Sequence, residues 1–186
     1  MQTYRIHTLD SAPEKSRPAL QALQQAVGAI PNLAATMAES PTLISGFVGA
    51  FGNFHGGTFT GAQKQALLLT NAATNDCAWA VAFHSTLALK EGVDAEQVRA
   101  MREKRLPSDI ALAALSRFTR ALIEQRGHVS AAEISEFTAA GFTPAQALEV
   151  IAGLAVSVMA NYAGNITQPA LEAPFQPQVW SAPANR

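Results

Sequence analysis

Asn75-Asp-Cys-Ala-Trp-Ala-Val-Ala-Phe-His84 holds the only cysteine of the chain, one of its two tryptophans and one of its four histidines. It lies inside a long apolar region that otherwise reads as plain core helix, so its interpretation decides the fold. Cys77 and His84 are two helical turns apart at about 100° per residue, which predicts both side chains on nearly one face. The rise between them is roughly 10 Å at 1.5 Å per residue. Ala80, between them, contributes only a methyl group. Such a stripe makes a shallow polar notch in an oily surface. The residues alone leave two readings open: a reactive site, or a packed core with two mildly polar members.

Working upstream, Thr60 with Gln63 predicts a capping box for a helix over Gly61 to Thr74, whose Ala66-Leu67-Leu68-Leu69 run is apolar on several sides and marks it as central. Asn53-Phe-His-Gly-Gly57 reads as a loop carrying His55, because the two glycines break helices. Ser40-Pro41 opens a helix to about Phe51, and Ile30-Pro31-Asn32 restarts the chain after a helix capped by Ser11 and Glu14 and stopped at Gly28. Residues 1–12 read as extended. Downstream, Gly92 ends the Cys77 helix. Asp94 with Gln97 caps a short helix to about Glu103, and Ser108 caps one to Arg126. Ser130 with Glu133 caps a helix to Ala140, and Thr143 with Gln146 one to about Ala163. The proline-rich residues 168–186 read as an extended arm packed on the body or on a neighbour. No segment alternates as a strand does, so the expectation is a single all-α domain of seven to nine helices.

The 186 residues are 48% hydrophobic but only 15% charged, with a net charge of −1. So few charges leave apolar surface exposed, which points to a homo-oligomer. No basic run argues for nucleic acid or an anionic membrane. The apolar segment Val150 to Ala160, bounded by Glu149 and Asn161, falls short of the ~20 residues a membrane span needs. Met1-Gln-Thr-Tyr-Arg-Ile-His7 lacks the pattern of a secretion signal, and a lone cysteine fits a reducing compartment, so the expected location is cytoplasmic. The sequence holds no glycine-rich phosphate loop, no His-Glu-x-x-His and no paired Cys-x-x-Cys. No cofactor or metal is therefore expected.

Read as Gln65-Ala-Leu-Leu-Leu-Thr-Asn-Ala-Ala-Thr-Asn-Asp-Cys-Ala-Trp-Ala-Val-Ala-Phe-His84, the central stretch resembles the core of the carboxymuconolactone decarboxylase and alkyl hydroperoxidase AhpD-like family. That core has a glutamate opening an apolar helix, then Cys-x-aromatic-Cys, then a histidine four residues on. Cys77 stands at the first cysteine, Trp79 at the aromatic position and His84 at the histidine. Ile30-Pro-Asn-Leu33 with Glu39-Ser-Pro41, Gly127-His-Val-Ser130, Ala140-Gly-Phe-Thr143 and Asn161-Tyr-Ala-Gly-Asn165 are also similar, so the likeness covers most of the chain. It departs at two positions: Ala80 replaces the second cysteine and Gln65 the glutamate.

The resemblance implies an AhpD-like helical fold and a trimeric or hexameric assembly acting on a small molecule. It implies peroxiredoxin-type reduction of hydroperoxides, with Cys77 as sole thiol, His84 as proton carrier and Gln65, Ala80 and Trp79 in support. An external thiol would replace the missing resolving cysteine. Gln65 can hydrogen-bond but cannot take a proton at neutral pH. Two alternatives stand beside this. One is a lyase on a small lactone or carboxylate, as in the decarboxylase branch, served by His84 and His55. The other is a catalytically silent member kept for binding or assembly.

Overall fold

The computed structural model describes residues 4–182, which form nine α-helices and two 3₁₀ turns with no strand among them. A 3₁₀ turn at Glu14–Ser16 leads into α1 (Arg17–Val27), α2 (Asn32–Met37), α3 (Pro41–His55), α4 (Gly61–Thr74) and α5 (Ala78–Lys90). Then follow α6 (Ala95–Arg102), α7 (Ile110–Glu124), α8 (Ala131–Ala139), α9 (Pro144–Thr167) and a second 3₁₀ turn at Ala173–Gln178. The all-α expectation of seven to nine helices holds. Residues 1–3 and 183–186, the outer parts of the two expected extended segments, lie outside the described region.

Helix α4 is the axis of the fold because it is buried on every side from Gln65 to Ala73. Ala66 and Leu69 face one core, shared with Leu20, Leu33, Ile44, Val81 and Met101. Leu67 and Leu68 face a second core, where Phe137 stacks between Phe118 and Phe142 with ring centroids 4.5 Å from each. Its start is fixed by the expected box: Gln63 N–H donates to Thr60 Oγ1 at 3.2 Å and Thr60 N–H to Gln63 Oε1 at 3.0 Å. Such a cap contributes about 1 kcal/mol and, more to the point here, sets the register of Gln65.

The boxes at Ser130/Glu133 and Thr143/Gln146 also form. Others differ from expectation. Ser11 caps no helix: its hydroxyl accepts from Thr8 N–H in a turn, and α1 starts at Arg17. Asp94 accepts from Glu96 N–H without help from Gln97, whose side chain accepts from Asp109 N–H instead. Asp109, not Ser108, caps α7, accepting from Leu112 N–H at 2.9 Å. Helix α3 runs to His55, so His55 is helical and not in a loop; the glycines stop the chain only after it.

Helix α9 passes through both Glu149 and Asn161, so its 24 residues are long and apolar enough to cross a membrane, contrary to the shorter run read from the sequence. It is the core helix of this fold nonetheless: Val150, Gly153, Val156, Ser157, Ala160, Asn161 and Gly164 are buried. Gln168 ends it in the left-handed region, φ 43°, and the chain turns back across α5. This C-terminal strap is held by Glu172, whose carboxylate accepts from Trp79 Nε1–H at 2.9 Å and Asn32 N–H at 2.7 Å. Phe175 of the strap lies edge-on to Trp79 and Phe83, at 6.2 and 4.9 Å between centroids.

Candidate functional site

The first inward residue of α4 after its cap is Gln65, 6% exposed. Its Oε1 accepts a hydrogen bond from His84 Nδ1–H, on α5, at 2.9 Å. That bond places the ring proton on Nδ1 and leaves the lone pair on Nε2, which makes no hydrogen bond among the described residues. Burial, and secondarily the charge of His55, lower the His84 pKa from 6.5 to about 3. The imidazole is therefore neutral at any physiological pH.

His55, at the end of α3, acts on the His84 ring through its charge. Its ring stacks on Phe51 at 3.9 Å and its Nδ1–H donates to the Phe51 carbonyl at 3.0 Å. Lys64 Nζ donates to the His55 carbonyl at 2.7 Å. Burial lowers the His55 pKa, the Phe51 carbonyl opposes this, and Lys64 adds to it. The two imidazoles share one character: each has Nδ1 tied to a neutral oxygen and Nε2 left as acceptor. The sequence offers His55 beside His84 but places it in a loop; the structure puts it at the end of α3, with its ring on Phe51 one turn back.

Cys77 is elsewhere. It is not on the α5 stripe with His84 but precedes it as N-cap, with φ −89° and ψ 96°. Asp76 before it sits at φ 52° and is pinned by Lys104 at 2.8 Å, itself at φ 58°. This left-handed break stops α4 running into α5, so the helical 100° spacing does not carry from Cys77 to His84. The thiol is 1% exposed, and a Cβ built at Gly164 would lie 2.8 Å from its Sγ. Burial raises its pKa, although the backbone N–H groups of Ala80 and Trp79 act in the other direction. No hydrogen bond joins Cys77 to His84 among the described residues.

Ala80 is buried in the first core, and Trp79 is stacked on Phe83 at 4.9 Å and bonded to Glu172. Phe83 in turn meets the His84 ring edge-on at 5.1 Å. The structure therefore bonds His84 to Gln65, leaves His55 within electrostatic reach of the His84 ring, and joins neither to the thiol by a hydrogen bond among the described residues. Glu172, which locks Trp79 to the strap, was not legible from its own stretch. No group of three or more His, Cys, Asp or Glu suited to a metal ion occurs among the described residues.

Residues 46–119, which include His55, Gln65, Cys77 and His84, match the model of the carboxymuconolactone decarboxylase family. Three solved structures share the fold. An uncharacterized peroxidase-related protein of Ralstonia eutropha JMP134, described as an alkylhydroperoxidase AhpD core, aligns with a TM-score of 0.78 at 18% identity over 92% of this chain and 93% of its own. A cysteine-to-alanine variant of the debrominase Bmp8, in complex with 2,3,4-tribromopyrrole, gives 0.76 at 19% identity over 96% of both. A peroxidase-related protein of Silicibacter sp. TM1040 gives 0.76 at 14% over 95% of both. At these identities the likeness is one of fold. No curated protein sequence matches the chain.

Proposed function

We propose a lyase-type enzyme, from the match of residues 46–119 to the carboxymuconolactone decarboxylase family model and from the AhpD-like fold. Its working group is His84, oriented by Gln65, and its substrate is a small carboxylate or lactone. The observation that supports this most is the 2.9 Å bond from His84 Nδ1 to Gln65 Oε1, which leaves Nε2 as the reacting nitrogen. The Lys64 ammonium, held on the His55 carbonyl, supplies a positive charge that favours an anion nearby. A carboxylate beside Nε2 raises the imidazole pKa, so the ring takes a proton as substrate binds. The bond to CO₂ then breaks, its electron pair passes into the conjugated lactone, and the imidazolium returns the proton to carbon. Net, one carboxylate and one proton become CO₂ and the protonated product. The test is CO₂ release from a carboxymuconolactone-type substrate: His84→Ala abolishes it and Cys77→Ser leaves it intact. Activity lost in Cys77→Ser and kept in His84→Ala overturns the reading.

A second reading, the single-thiol hydroperoxidase expected from the resemblance, is favoured by the Ala80 and Trp79 N–H groups that act on the sulfur. The thiolate would attack the peroxide, giving alcohol and sulfenic acid, and two equivalents of an external thiol would restore Cys77 with release of water and a disulfide. His84 is a poor base for it. Burial holds the thiol above its ordinary value and the imidazole down near 3, so proton transfer from one to the other is strongly uphill. Dimedone trapping of a sulfenic acid at Cys77 after hydroperoxide treatment would restore this reading to first place.

We also propose that the protein works as a homo-oligomer through the outer face of α9, where Leu148, Ile151, Tyr162 and Ile166 are exposed.

A further inference from the structure

A groove between α5, α6 and the C-terminal strap lies outside the His84 site. Leu89, Ala95, Val98, Arg99, Arg102 and Gln178 line it, and this open groove offers about 260 Å³. That is just below the roughly 300 Å³ at which drug-sized sites begin, so its occupant is a smaller molecule.

Arg102 sets the chemistry. Its Nη1 donates to the Gln178 carbonyl at 3.1 Å and to Gln178 Oε1 at 2.7 Å, and its Nη2 donates to the Val179 carbonyl at 3.0 Å. All three acceptors are neutral. The neighbouring arginines are not so placed: Arg99 pairs with Glu96 at 2.6 Å and Arg105 with Glu103 at 2.6 Å. Among the described residues Arg102 has no carboxylate within ion-pair distance. Burial lowers its pKa, with Glu103 acting the other way. A partly desolvated guanidinium facing neutral oxygens gains from exchanging them for a carboxylate, because charge-assisted hydrogen bonds are about twice as strong and the planar fork matches a carboxylate bidentately.

We propose that this groove binds a small amphipathic carboxylate, its apolar chain on Leu89 and Val98 and its carboxylate on Arg102. The same guanidinium latches the strap through Gln178 and Val179. The ligand competes for that latch, and the strap over Trp79 and Phe83 loosens when it binds. Since Phe83 touches the His84 ring, the groove is an effector site for the imidazole site.

The experiment is calorimetric titration of the full chain with octanoate, and separately with 1-octanol, followed by hydrogen–deuterium exchange across residues 172–180. Octanoate is expected to bind at least tenfold more tightly than the uncharged alcohol and to raise exchange in the strap. Arg102→Leu should weaken octanoate at least tenfold. Ala95→Glu should weaken it too. Position 95 is exposed and opens α6, where an acidic side chain suits the helix, so this variant folds even if Arg102→Leu does not. Equal binding of acid and alcohol, no octanoate binding at millimolar concentration, or full affinity in Ala95→Glu overturns the site. Unchanged strap exchange at saturating octanoate overturns the coupling.

Discussion

His84 Nδ1 stands 2.9 Å from Gln65 Oε1, and this one bond decides which imidazole nitrogen keeps its lone pair. Gln65→Leu removes the acceptor without adding charge. The ring should then populate both tautomers, visible as averaged nitrogen shifts in the NMR spectrum of labelled histidine, and turnover should fall about tenfold or more. Gln65→Glu supplies a carboxylate that stabilises the protonated ring, so the His84 pKa should climb well above about 3. A single unchanged tautomer in Gln65→Leu would show that the glutamine does not orient the ring.

The same burial makes the fold sensitive to acid. In the unfolded chain His84 binds a proton near the ordinary 6.5, whereas in the folded chain it does so only near 3. Between those values the unfolded state carries the extra proton, so stability falls as pH drops through this window. The full contribution is roughly 5 kcal/mol, of which about 3 is lost by pH 4.5. His55, also lowered by burial, adds in the same direction. Urea melts at pH 7 and pH 4.5 measure it. His84→Gln should show a clearly smaller loss between the two than the parent, and an equal loss in both proteins rules out the buried imidazole as the cause.

What the sequence showed and what it hid divide by range. Thr60/Gln63, Ser130/Glu133 and Thr143/Gln146 are legible because each box closes over three residues. The all-round apolar run from Ala66 to Leu69 announced α4 as the axis. Gln65 reads from the sequence as a hydrogen-bonding residue with its partner left open, and only packing of α4 on α5 brings it to His84. The helical spacing from Cys77 to His84 failed because one residue, Asp76, adopts a left-handed conformation that its identity alone does not require. His55 is legible in the sequence but reads as part of a loop, because Gly56 and Gly57 mark the end of α3 yet do not say whether it ends before or after the histidine.

Gly164 and Cys77 form a close contact that tests where the thiol sits. A methyl at position 164 would lie 2.8 Å from Sγ, and the helix backbone of α9 cannot easily give way. Gly164→Ala should therefore destabilise the protein by about 1–3 kcal/mol through overpacking. Cys77→Ala in that background removes the obstruction and should recover most of the loss, giving a coupling that thermal or urea melts can read. Native Cys77 should also react with a disulfide reagent far more slowly than the unfolded chain. Fast labelling in the folded protein, or strictly additive effects of the two substitutions, contradicts this placement.

The outer face of α9 predicts assembly. At 100° per residue, Leu148, Ile151, Tyr162 and Ile166 fall within an arc of about 60°, and they span about 27 Å of the helix. They are 71%, 50%, 55% and 67% exposed, while the opposite face of the same helix is core. Burying a large apolar side chain contributes about 1.5–3 kcal/mol, so a second copy of this stripe laid against the first provides a substantial drive to associate. Light scattering on the purified protein at micromolar concentration should give a multiple of the 19.6 kDa chain mass. Ile166→Asp, or Tyr162→Asp, should shift the mass downward while helical circular dichroism stays intact, because both positions face solvent within the chain. A parent protein that already runs as a monomer, or an oligomer that both aspartates leave untouched, sinks this assignment of the α9 face.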